Sequence, residues 1–158
     1  MEYSLKIALI MALSLVALFS IPIFLISIRK SKRAKLLKKK FQSFSVSLDM
    51  QLSEQDVWDD RGIGIDHKLL CILFAKGKEF NDRVEKIELQ KIRRCEVNKT
   101  SRNVDSIIVI DRIDLRIIFK EPNVPHLLLG FYTVQEDGQV FDELQLAEKW
   151  EMIINASI

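Results

Sequence analysis

Histidine is scarce. His67 and His126 are the only two in the chain, which leaves no HExxH pair and no His-rich zinc centre. Cysteine is equally rare. Cys71 sits in LLCILFA and Cys95 in IRRCEV. Neither has a C-x-x-C partner or a histidine at metal-binding spacing, so both are read as buried structural thiols. Glycine is sparse too, five in all. Gly62-Ile63-Gly64 starts like G-x-G-x-x-G, but His67 stands where the third glycine belongs. That pair is read as a strand bend or a close backbone approach. No G-x-S-x-G and no P-loop pattern occurs. The sequence therefore lacks the signatures of the common hydrolases, metalloenzymes and nucleotide-binding enzymes, and no catalytic residue, cofactor or metal is expected.

Acidic residues are missing from one stretch in particular. Positions 29–40 read RKSKRAKLLKKK, eight basic residues and no acid. They are Arg29, Lys30, Lys32, Arg33, Lys35, Lys38, Lys39 and Lys40. The rest of the chain has the opposite balance. Fifteen of the 24 basic residues and 21 of the 22 acidic ones lie in 41–158, a formal charge of −6 there. A nucleic-acid-binding domain needs a basic face on its folded part, so no nucleic-acid partner is expected.

Charge of either sign is absent from 7–28, IALIMALSLVALFSIPIFLISI. As a helix those residues span roughly 33 Å, enough for a bilayer's hydrocarbon core. A cleaved signal peptide would have a shorter apolar region and a small-residue cleavage site. The run is read as an uncleaved transmembrane helix, with Pro22 kinking or loosening it. Basic residues beside a span stay on the cytoplasmic side. The expected topology is single-pass in the inner membrane, N-terminus outside and residues 29–158 in the cytoplasm. The eight basic residues are the expected membrane-surface contacts, at about 1 kcal/mol each near anionic headgroups. Residues 29–54 are read as a basic juxtamembrane segment and linker. Leu36, Leu37, Phe41 and Phe44, at helical spacing, are placed in the membrane interface.

Asp56, Asp59, Asp60 and Asp66 are dense, but DVWDDRG lacks the spacing of a calcium loop. They are read as a solvated acidic loop. Strands are expected at 60–66, 69–75, 83–89, 92–98, 113–119 and 126–133, with turns or loops at 76–82, 99–105, 121–125 and 134–139. In IDLRIIF, Ile113, Leu115, Ile117 and Phe119 alternate with polar residues. Residues 107–110 extend that strand, with a bend near Asp111-Arg112. The period then changes. Val140, Leu144, Ala147, Trp150 and Ile154 share one helical face, with Glu143 and Glu148 off it. The fold class is α+β: a curled antiparallel sheet of six or seven strands closed by one C-terminal amphipathic helix.

This order over about residues 55–157 resembles the pleckstrin-homology (PH)-like fold. GIGID at 62–66, IRRCEV at 92–97, IDRIDL at 110–115 and ELQLAEKW at 143–150 are similar to segments of uncharacterised single-pass bacterial membrane proteins with the same layout. The resemblance implies a cytoplasmic PH-like domain at 55–158. It implies no inositide site, because the loop between the first two expected strands, Asp66-His67-Lys68, is poor in cations. The functional expectation is a membrane-anchored binding module for an unidentified protein or peptide. One alternative is anionic-headgroup binding through the basic segment and a domain loop. Another is an enzyme with an unfamiliar site, using Asp59, Asp60 and His67. Membrane lipids are the second expected partner, and the oligomeric state stays open.

Overall fold

The computed structural model describes residues 34–104, 107–140 and 142–158. The 7–28 run and Arg29, Lys30, Lys32 and Arg33 lie outside them. Among the described residues no helix is long and apolar enough to cross a membrane.

The chain is α+β. Helix α1 (34–47) precedes β1 (Glu54–Trp58), β2 (Arg61–Asp66), β3 (Cys71–Lys76) and β4 (Arg83–Glu88). A single 3-10 turn, Leu89–Lys91, leads to β5 (Ile92–Val104), β6 (Ile107–Phe119) and β7 (Leu127–Thr133). Helices α2 (Val134–Asp137) and α3 (Glu143–Ser157) follow. Strands β1 to β4 form one antiparallel meander and β5 to β7 another. The single closed sheet expected from the sequence is thus two open sheets. No ladder joins β4 to β5 or β7 to β1. In place of a ladder, Trp58 Nε1 donates to the Phe131 carbonyl at 3.0 Å, one side-chain bridge across the gap.

The core lies between the sheets. Ile63, Ile65, Ile72, Phe74, Ile113, Leu115, Ile117, Leu129 and Phe131 fill it, together with Ala147, Trp150 and Ile154 of α3. The apolar face expected for α3 is the one that docks. Trp150 Nε1 donates to Asp56 Oδ2 at 2.9 Å. Asn155 closes the other end, accepting from Cys95 N–H and donating to the Cys95 carbonyl. Glu143, expected off the buried face, is buried. Both cysteines are free and buried, as read from sequence, and burial pushes the Cys95 thiol up to about 12.

A second cluster covers the outer face of the four-stranded sheet. Phe41 and Met50, both fully buried, meet Cys71, Leu73, Ala75 and Phe80, with Leu37, Phe44 and Leu52 packed around them. Leu37, Phe41 and Phe44 therefore face the sheet and not the membrane interface, while Leu36 is exposed. The cause is visible in β2. Ile63 and Ile65 point into the core, and Gly62 and Gly64 point outward. A Cβ on Gly62 would sit 2.6 Å from the Phe41 ring, and one on Gly64 2.5 Å from Leu52. The close-approach reading of these glycines is correct. Strand β3 is apolar on both sides because both sides are covered, by the core and by α1.

Other expectations are corrected. Strand β1 is formed by residues read as acidic loop, because Asp56 turns toward α3 and is bonded there. The loop between the first two strands is therefore Asp59-Asp60. Asp66 is buried and accepts the N–H groups of Gln51, Lys68 and Leu69. Burial raises its proton affinity, but those three donors outweigh it and hold the carboxyl below its usual range. Residues 99–104 are strand, paired with β6 as far as Val104–Ile107. The register shift between Thr100 and Ser101 leaves Asp111 as the extra residue, at the predicted bend. The first four residues of the 134–139 loop form α2.

Candidate functional site

Two concavities among the described residues bear on function. The larger, about 1030 Å³, lies where the start of α1, the β1–β2 turn and α2 meet. Arg61 is its centre and is almost wholly buried. Asp137 Oδ1 and Oδ2 accept from its two terminal nitrogens at 2.9 and 3.1 Å, and Glu136 Oε2 accepts from Nη2 at 2.9 Å. Glu136 also takes Lys76 Nζ at 2.7 Å, and that hydrogen bond holds its carboxyl below the usual range. Asp137 further accepts the Thr133 N–H at 2.7 Å. Burial, then the charges of Asp137 and Glu143, pushes Asp59 up. Arg61, Lys76, Glu136 and Asp137 pair with one another, while the buried Arg61 Nε has no hydrogen-bond partner among the described residues. They clasp α2 to the four-stranded sheet, and the cleft is a structural joint.

The smaller crevice, about 370 Å³, is on the outer face of the three-stranded sheet. Arg93, Arg94, Glu96, Arg116, Ile118 and His126 line it. Sheet register explains the set. Arg94 pairs with Ile118 and Glu96 with Arg116, on neighbouring strands and one face. A register irregularity between Ile92 and Arg94 brings Arg93 to the same crevice as its neighbour, against normal strand alternation. His126 directly precedes β7. Glu96 is shared by two arginines: Arg116 Nη2 bonds to Oε1, and Arg94 Nη2 lies 3.4 Å from Oε2. Arg93 has no ion pair among the described residues, and the buried Arg116 Nε has no hydrogen-bond partner there. Three guanidiniums facing one carboxylate leave a formal excess of two positive charges on a domain that is acidic as a whole. Planar guanidiniums of this kind recognise carboxylate and phosphate groups by paired hydrogen bonds.

The residues singled out from sequence fall elsewhere. Lys35, Lys38 and Lys39 are exposed on α1. Lys40 is also exposed but pairs with Glu79 at 3.0 Å. Asp59 and Asp60 form the β1–β2 turn, whereas His67 lies in the β2–β3 turn. The six residues of β2 separate them by about 20 Å, so these three do not form one site. Among the described residues no group of three or more His, Cys, Asp or Glu is placed to hold a metal ion. Arg93, Arg94 and Arg116 were not singled out. The outward alternation of Arg94 in IRRCEV and of Arg116 in IDLRIIF is visible in the sequence, but their convergence, and the arrival of Arg93, depend on register and its irregularity. No protein-family model matches the chain, and no curated protein and no solved structure shows significant similarity to it.

Proposed function

We propose that the chain is a single-pass inner-membrane protein whose cytoplasmic domain is PH-like and binds an acidic peptide or protein segment in the arginine crevice. The fold reading rests on a four-stranded meander, a three-stranded meander and a C-terminal helix docked through Trp150. The anchor reading rests on the uncharged 7–28 run and the eight basic residues after it. The binding reading rests on one observation. Arg93, Arg94 and Arg116 line one crevice beside Ile118 with only Glu96 there to neutralise them. An acidic segment would place carboxylates against the guanidiniums and an apolar side chain over Ile118.

The test uses the full chain in nanodiscs of zwitterionic lipid and a fluorescent hexaglutamate peptide. Anisotropy should report binding that weakens with salt and at least tenfold on Arg93→Glu combined with Arg94→Glu. Lys35→Gln combined with Lys38→Gln should leave it unchanged. Equal loss in both pairs would mean nonspecific charge attraction and would sink the crevice. The lipid alternative has its own support in Lys35, Lys38 and Lys39, which are exposed on α1. Peptide binding that survives the crevice variants, with vesicle binding that fails in the lysine variants, would favour it.

A further inference from the structure

Strands β5 and β6 run on well past β7. The last pair between β6 and β7 is Arg112–Thr133. Beyond it, residues 107–110 pair with β5 alone, and Asp111 is the extra residue at the register shift. Ile110 still packs against the core, so the free part of this two-stranded arm is residues 107–109, about 10 Å at strand rise. Its end is apolar and bare: Ile108 is 73% exposed, Ile107 66% and Val104 43%. Val104 pairs with Ile107, and Ile108 falls on the opposite face by alternation. Both faces are therefore apolar at the tip. A free, apolar strand edge is a liability that folded proteins cover.

We infer that this arm is a second membrane contact, with Val104, Ile107 and Ile108 seated in the bilayer interface. The inference goes beyond the proposed function and rests on its anchor. The root of the arm and the start of α1 share one end of the domain. Thr133, where β7 stops, leads directly into α2. Ala34 and Leu37 of α1 line the cleft that α2 closes. Five residues, 29–33, separate Ala34 from Ile28, the end of the uncharged run, and six steps of chain reach at most roughly 20 Å. The arm leaves from the same end.

The chemistry selects lipid over a protein groove. A groove needs one apolar face, and this tip has two. Its basic residues do not carry the contact, since Arg102 pairs with Asp111 and Arg112 with Asp114.

The test labels the full chain at Ile108→Cys or, as a control, at Met152→Cys on α3, which is 66% exposed. Cys71 and Cys95 are buried, so a maleimide fluorophore marks the new thiol alone. Each protein is placed at one copy per nanodisc containing lipid spin-labelled near the headgroup. Quenching at position 108 should exceed that at 152 at least threefold. Equal quenching overturns the inference. Label–label cross-talk between copies in vesicles, without quenching in single-copy discs, overturns it in favour of a second chain. Vesicle flotation of the unlabelled protein reads the anchor separately. A chain that fails to float takes the anchor and the arm contact down together, whereas floating without quenching removes only the arm.

Discussion

The two sheets treat their outer faces in opposite ways. On the four-stranded sheet, glycines on β2 admit α1, and Phe41 lies flush on the strand with Phe80 edge-on at 5.1 Å. On the three-stranded sheet, the outer face carries the charged side chains Arg94, Glu96 and Arg116, which line a crevice. A covered face is specified by small residues and apolar neighbours, and it contributes stability. A bare face is specified by charges held in register, and it is free to bind. Substitutions of similar size should therefore have very different effects on the two.

The largest effect is expected under α1. Phe41→Ala removes a fully buried aromatic side chain, which typically costs about 3–5 kcal/mol. Gly62→Val should cost a similar amount by the reverse route, since its new side chain must displace the Phe41 ring. The double variant should lose clearly less than the sum, because one contact is removed twice. Urea unfolding of a fragment beginning at Ala34 measures all three. Additive losses would show that the ring and the glycine act independently, and that α1 is not docked through them.

This region also shows what the sequence could and could not reveal. The α3 face around Trp150 was legible, because five apolar residues at spacings of three and four have one helical solution. The apolar run of β3 was legible as a buried strand. Its second cover was not, because Leu37, Phe41 and Phe44 also suit a membrane interface. Only the glycines of β2 pointed to a close neighbour, and they did not say which. Strand β1 was hidden by its acids, since Asp56 is satisfied by Trp150 from 94 residues away. The far half of β5 was hidden for a related reason. Residues 99–104 are exposed throughout, so they have no buried face and no alternation to read. The arginine crevice needed strand register and a local irregularity, neither of which periodicity encodes.

A smaller effect is expected where the covered face ends. Asp66 ties the segment after α1 to the β2–β3 turn by accepting three backbone N–H groups. Asp66→Ala leaves them to water or unpaired, at about 1–3 kcal/mol. The dependence on pH has a definite sign. The folded carboxyl is held below its usual range, so its stabilisation is complete above about pH 5 and is lost as pH falls through about 4 and below. The stability gap between wild type and Asp66→Asn should narrow over that range. A gap that stays constant from pH 7 to pH 3 would mean that the carboxylate's charge adds nothing to its hydrogen bonding.

The smallest effect is expected on the bare face. Arg93 is exposed and unpaired among the described residues. Arg94 is exposed too, and its contact with Glu96 is long, at 3.4 Å. Exposed pairs of this kind contribute between nothing and about 1 kcal/mol. The double reversal turns a local excess of two positive charges into one of two negative charges, so repulsion of one sign replaces repulsion of the other on exposed side chains. Arg93→Glu combined with Arg94→Glu should therefore change folding stability by no more than about 0.5 kcal/mol, with the urea dependence unchanged. The same double variant is the one expected to abolish hexaglutamate binding. Stability retained with binding lost is the signature of a face reserved for a partner. A stability loss above about 1 kcal/mol would instead mean that the arginines hold the sheet together, and the contrast between the two faces would disappear.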